Sequence, residues 1–472
     1  MKKSIYILCV ALGVVASACT DWLTVQPKTT IVAENLYTTN DGVEQALNGM
    51  YILMRTSIYQ PDGIMGGSGF SEALAATWTN TANELGKHIY NLNNRQTENL
   101  FNYAFMNMYS IVANATPLID GVEENKGVLD EDVYNIVKGE ALAIRACIHL
   151  DLIRLWGPIP TKVDVSKKYL PYVTEYSTAK YTYQTYEEYM QKLFADLDEA
   201  EELLKKSDPI LTYNADNAAN GTSKWLYRQS RFNYYGVLGL QARAHLWYGD
   251  KEEAVRYAKL VKEAVNADGT PKFKLGDQTL IDSFGDGETD LTFYPEHLCG
   301  MDVELYDFNK GAFGSSTKVS MIGMTYAFME LYDNNTNDLR YSKLYYSYSR
   351  PFQAVYCIKY QGLFPSSKAK ATNMPIVRLS EMYLTIMECG TLSEANAAYE
   401  EFCVARNITY SPYTEGDRQE RVLWEYIREL MAEGQNFFMY KRHEVKRMFN
   451  QPEDSEDCGE MQYVLPLPPK EF

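Results

Sequence analysis

The chain has 472 residues, 45 Lys and Arg against 62 Asp and Glu, and a formal net charge of −17. Apolar residues make up 46% of it, enough for a sizeable core in one large domain or two to three ordinary ones. An acidic surface repels a phosphate backbone, so nucleic acid is not an expected partner. Beyond the N-terminus no segment approaches the roughly 20 apolar residues that a membrane-spanning helix needs.

The chain opens with Lys2 and Lys3, an apolar run from Ile5 to Val15, and then Ala16, Ser17, Ala18 and Cys19. A basic start, a short apolar stretch and small residues at its end make a secretory signal peptide. Cleavage before Cys19 would make it the first mature residue. The arrangement resembles the bacterial lipoprotein signal, in which that sulfur receives a diacylglycerol; the usual leucine three places earlier is Ala16 here. Residues 1–18 are therefore expected to be removed and Cys19 to be lipidated. Two or more acyl chains give stable anchoring. The six later cysteines form no CxxC pair and suggest no disulfide framework. Cys147 falls in an apolar helical stretch and is expected to be buried.

Most of the mature chain reads as helix. Apolar residues recur at helical spacing over 42–54 and 99–119. The stretch 131–160 is apolar nearly all round, with Gly139, Ala141, Ala143 and Ala146 allowing close helix approach and Gly157-Pro158 ending it. Such a helix is expected to be buried on several sides. By contrast 186–206 reads as an amphipathic surface helix. Two later stretches, 233–265 and 378–406, look like helical hairpins. A turn glycine (Gly249, Gly390) is followed five residues on by an alanine (Ala254, Ala395), and in the second by Tyr399. This is part of the tetratricopeptide (TPR) pattern.

Two regions break the helical rhythm. Residues 56–95 and 266–377 are rich in Gly, Asp, Asn and aromatics. Irregular stretches this long in a helical protein are functional or disordered, and their aromatics argue against disorder. Within the second, 343–360 suits a short hairpin. The 38 tyrosines offer flat apolar faces with polar tips, for packing or for a hydroxylated ligand.

Catalytic motifs are missing: the sequence has no GxSxG, P-loop, HExxH or GxGxxG. GGSGF (66–70) reads as a flexible loop. His88, His149, His245, His297 and His443 are scattered, and His149 and His245 read as core residues. No cofactor and no metal is expected. DNNTND (333–338) and DSFGDGETD (282–290) have calcium-like acid spacing but lack a complete binding loop, and capping or turn formation is the favoured reading. Glycoside hydrolysis would need two carboxylates about 5–10 Å apart; DLDEAEELL (196–204) reads instead as a solvated helix face.

The chain resembles the SusD/RagB family of Bacteroidetes outer membranes. The resemblance is carried in order by Cys19 with DWLTVQPKT (21–29), GEALAIRACIHLDLIRLWGPIP (139–160), Asp338 with Arg340, MPIVRLSEMYLTIMEC (374–389), YIRELMAEGQNFFMYKR (426–442) and the closing VLPLPPKEF (464–472). Gln435-Asn436 and Tyr426 depart from the pattern at positions expected to affect packing. The resemblance implies a mainly α fold, in which TPR-like hairpins form a right-handed helical scaffold. An irregular, loop-rich ligand-binding half and a few short strands complete it. After the signal peptide, 19–265 would be an N-terminal SusD-like helical region with TPR-like pairs. Residues 266–472 would be a C-terminal SusD/RagB region, loop-rich over 266–377 and TPR-like over 378–448.

Family resemblance also implies a non-catalytic lipoprotein, anchored in the outer membrane and facing outward. It would capture glycans and pass them to a TonB-dependent barrel of the SusC type. A peptide- or glycopeptide-loading lid, and a purely structural lid, stay open as alternatives. Rings stack on the C–H face of a sugar while Asn, Asp, Gln and Arg bond its hydroxyls. Two stretches supply both classes: 78–96, with Trp78, Tyr90, Asn91, Asn93 and Arg95, and 291–313, with Phe293, Tyr294, Tyr306, Asp307 and Phe308. Trp78 is the leading single candidate, because it sits among polar residues. Its removal is expected to weaken ligand binding and to leave thermal unfolding unchanged.

Overall fold

The computed structural model describes residues 36–59, 63–65, 70–80, 95–177, 179–213, 225–282, 290–303, 321–348, 354–359, 373–451 and 456–469. Ten helices carry the scaffold: α1 (Asn40–Ser57), α2 (Arg95–Glu124), α3 (Glu131–Trp156), α4 (Tyr186–Ser207), α5 (Tyr234–Tyr248), α6 (Lys251–Lys262), α7 (Leu379–Cys389), α8 (Leu392–Arg406), α9 (Arg418–Glu429) and α10 (Asn436–Arg442). From α1 to α8 each helix packs on the next, including α6 on α7, although more than a hundred residues separate those two in sequence. Neighbour-on-neighbour stacking of hairpins is how repeat scaffolds bury faces that no single hairpin can cover.

Both expected hairpins form. Gly249 ends α5 at φ +98°, a left-handed turn that a side chain would strain, and Ala254 is buried where α6 crosses back. In the second pair Gly390 ends α7 in an extended conformation, and Thr391 with Glu394 forms a capping box that starts α8. Ala395 and Tyr399 are buried, as the spacing predicts.

Helix α3 is the axis. Every residue from Val133 to Trp156 is buried, Cys147 among them. A side chain at Gly139 would meet Leu204 of α4 at 2.8 Å, which shows how closely the two helices approach. Burial on all sides forces the helix's polar groups to find partners, because an unpaired buried charge is costly. Arg145 grips Asp196 through two bonds of 2.7 Å. Glu140 accepts from the Tyr51 hydroxyl at 2.5 Å and pairs with Arg228. Lys441 of α10 donates to the carbonyls of Arg154 and Gly157, each at 2.8 Å, and so satisfies the open end of α3 at the Gly157-Pro158 stop. Helix α4, read as a surface helix, does keep one polar face, but its Leu193, Leu197 and Leu204 are buried.

The irregular regions carry short antiparallel strands. One sheet runs in the order Thr79–Asn80, Met321–Met324, Ala354–Cys357, Tyr345–Tyr348. The last two are the expected hairpin, with Tyr345 opposite Cys357 and Tyr348 opposite Ala354. A second pair joins His297–Asp302 to Asn373–Arg378, with register shifts after His297 and Cys299. The main apolar core runs unbroken from Val43 to Leu465 and lies between the helical stack and these strands.

Candidate functional site at the sheet edge

The register of the four-stranded sheet sets the last described residue before 81–94 beside the first one after 304–320. Thr79 pairs with Ile322 and Asn80 with Met321. The chain therefore leaves into 81–94 beside the point where it returns from 304–320. Tyr90, Asn91 and Asn93 belong to the first of these segments, and Tyr306, Asp307 and Phe308 to the second. All six lie outside the described residues, as do Cys19 and GGSG (66–69). Arg95 is the first residue of α2, and its side chain also lies outside the description.

Trp78 does not stand open for stacking. It is 7% exposed, its ring lies 5.0 Å from Phe328 and 6.2 Å from Tyr345, and its indole N–H donates to Glu72 at 2.9 Å. The expectation of an exposed tryptophan is corrected by this packing: polar neighbours in sequence do not set the ring's direction, which is inward onto Phe328 and Glu72. Phe293 is corrected in the same way. It is fully buried, with the Arg406 guanidinium 4.7 Å and the Arg378 guanidinium 5.7 Å from its ring. Tyr294 is half-buried beside His297, its N–H bonded to Asp290 at 2.8 Å.

Nothing in the sequence singles out Glu72. Its carboxylate accepts from Trp78 and from the backbone N–H groups of Ala432 and Gly434, both at 3.0 Å. Burial pushes its pKa up to about 7; the three donors oppose the rise without cancelling it. This one side chain ties the strand at Thr79 to the turn after α9.

Beneath the sheet edge lies a buried charge network. Arg378 donates to both oxygens of Glu433 at 2.9 Å, to Glu296 at 2.8 Å and to Glu429 at 2.5 Å. Arg406 reaches Glu429 at 2.5 and 2.9 Å and Glu296 at 2.7 Å. Arg340 holds Asp338 at 2.7 and 3.0 Å and Glu425 at 2.7 Å. Lys359 pairs with Glu433 and donates to the Glu429 carbonyl at 3.0 Å. Burial works against ionising Glu429, but the guanidiniums of Arg406, Arg378 and Arg340 outweigh it and hold its carboxyl well below the usual range. Each of these carboxylates is held by a cation, which suits a rigid platform.

Asp290, Asp333 and Asp338, from the two acid-rich stretches, have structural partners. Asp333 pairs with Arg428 at 2.7 Å, Asp338 caps the turn at Arg340, and Asp290 accepts from Thr292 and Tyr294. Among the described residues no group of three His, Cys, Asp or Glu side chains could hold a metal ion. The departures in the 426–442 stretch also serve packing: Tyr426 and Asn436 are buried, and Gln435 accepts from Arg154 at 3.2 Å.

A helical-hairpin scaffold carrying an irregular, loop-bearing half is a fold shared with solved structures. A SusD superfamily protein from Bacteroides thetaiotaomicron superposes with a TM-score of 0.69 at 19% identity, over 92% of this chain and 97% of that one. A laminarin-binding SusD-like protein superposes at 0.63 and 14% identity, over 91% and 96%. A family model described as "Starch-binding associating with outer membrane" matches residues 21–225. A SusD-like protein of Formosa agariphila is 28% identical over 153 residues, 30% of this chain and 28% of that protein. The chain is thus similar to SusD-like proteins, by sequence over residues 21–225 and by fold over nine-tenths of its length. Among the described residues no helix is long and apolar enough to cross a membrane.

Proposed function

We propose that the chain is a non-catalytic, cell-surface glycan-binding lipoprotein. It captures oligosaccharides and passes them to a SusC-type TonB-dependent barrel in the outer membrane. Lipid on Cys19 holds it there, facing outward. The observation that carries the reading is the pairing of Asn80 with Met321, which gives two aromatic- and amide-rich stretches a common root. Tyr90 and Tyr306 supply flat faces for sugar rings. Asn91, Asn93 and Arg95 supply donors and acceptors for the hydroxyls, and Tyr294 lies near the start of the second stretch. Trp78 and Phe293 act from beneath, by fixing the root.

Rigid support matters because a site that is already ordered loses less freedom when ligand binds. The family's starch-binding description and the laminarin-binding neighbour make starch and laminarin the first glycans to try. Native gels cast with single polysaccharides test the reading: retardation of the soluble mature chain supports it. Binding to tryptic peptides alone would replace glycan with peptide, and silence on both panels would leave only the structural lid.

A further inference from the structure

A cleft of about 670 Å³ lies between the outer face of α1 and residues 225–231. Its size falls within the roughly 300–1,000 Å³ of small-ligand sites. Glu44, Asn48, Ile52 and Arg55 line one wall from a single helix face, with Ile52 62% exposed. Trp225 and Tyr227 line the other, and Asp302 closes one end.

Tyr227 is the unusual residue. It is 54% exposed and sits at φ +56°, a left-handed conformation rare for an aromatic residue. Its neighbour holds it there. Arg228 is fully buried and clamped by Asp208 at 2.9 Å twice and by Glu140. Strained residues kept in place by such anchoring cluster at binding sites. The floor is built as well: the Arg231 guanidinium lies 4.7 Å from the Tyr51 ring and bonds Asn48. The Tyr51 hydroxyl in turn accepts the Phe232 N–H at 2.9 Å.

We propose that this cleft is a saccharide-binding site separate from the sheet edge. Trp225 and Tyr227 meet the C–H face of a sugar ring, and Asn48, Arg55 and Asp302 bond its hydroxyls. Glu44 and Asp302 balance Arg55 and Arg231 in the lining, which fits a neutral sugar better than an anion. The site goes beyond the function proposed above: apart from Asp302, which belongs to the 291–313 stretch, its hydrogen-bonding and ring residues lie in neither ligand stretch.

The test is a calorimetric titration of the mature chain with maltoheptaose, laminarihexaose and a tryptic peptide digest. Wild type, Tyr227→Ala, Tyr227→Phe and Tyr306→Ala are compared, with Tm recorded for each. The expected result is that Tyr227→Ala removes one class of saccharide sites, or weakens binding about tenfold, as loss of an anchoring ring does. Tyr227→Phe should bind as wild type, and Tm should stay unchanged in both. Saccharide binding lost in Tyr306→Ala but intact in Tyr227→Ala overturns the cleft and leaves the sheet-edge reading standing. Peptide binding lost in Tyr227→Ala overturns the saccharide assignment. A wild-type chain that binds neither saccharide overturns it too.

Discussion

Arg378 and Glu429 are joined twice, side chain to side chain at 2.5 Å and guanidinium to the Glu429 carbonyl at 2.6 Å, and both are fully buried. Arg378 stands at the start of α7 and Glu429 at the end of α9, so the pair locks two helices together under the loop-bearing half. Glu429 also serves Arg406 and Arg340. Removing its charge takes one carboxylate from three interior guanidiniums and leaves Arg406 with Glu296 as its sole carboxylate partner among those described. Glu429→Gln is expected to lower unfolding free energy by about 3–5 kcal/mol, the usual cost of breaking a buried pair. Urea denaturation measures it. A loss below about 1 kcal/mol would mean that the network relaxes around the gap.

Trp78→Ala is expected to destabilise the protein by about 3–5 kcal/mol, because it empties a packed site and leaves Glu72 without one of its donors. The readout is a thermal melt alongside glycan titration. An unchanged Tm with weakened binding would return Trp78 to the ligand surface and contradict its burial.

The Glu72 carboxyl titrates in a readily tested window. Its folded-state pKa of about 7 lies above the ordinary 4.5. A raised acid favours the folded state in its protonated form. That contribution is complete below pH 4.5 and is lost as pH rises through 7. Wild type should therefore lose stability between pH 5 and 8 relative to Glu72→Gln, by roughly 2–3 kcal/mol at about 1.4 kcal/mol per pKa unit. Unfolding curves at the two pH values decide it. A constant difference between wild type and variant would show that Glu72 is ionised throughout.

Cys19→Ala should move the protein from the membrane to the soluble fraction, since the lipid is its proposed anchor. Fractionation of cells expressing each form reads this out. Continued membrane retention of the variant would refute the tether.

The scaffold is more legible in the sequence than the site is, and the charge network explains why. Arg340 with Asp338, Arg378 with Glu381, and Glu429 with Glu433 lie in the motifs that carry the family resemblance, and all six are buried. Arg243 of α5, for example, holds Glu381 at 2.6 and 2.7 Å. Buried pairs need fixed partners, so they leave fixed motifs. Ligand contacts from loops carry no such spacing. Local polarity places Trp78 outside, but the side chains of Phe328, Tyr345 and Glu72 draw it in, and of these only Glu72 is near Trp78 in sequence. Tyr227 gives no signal either, because a positive φ cannot be read from a Leu-Tyr-Arg triplet.

The most direct measurement of the central claim is calorimetric titration of residues 20–472 with starch- and laminarin-derived oligosaccharides, comparing wild type with Tyr306→Ala and Asn91→Ala. The account predicts binding by wild type and a loss of about tenfold or more in each variant, with Tm unchanged. Binding that neither substitution alters would contradict a glycan site at the sheet edge, and no heat with any glycan would contradict glycan capture itself.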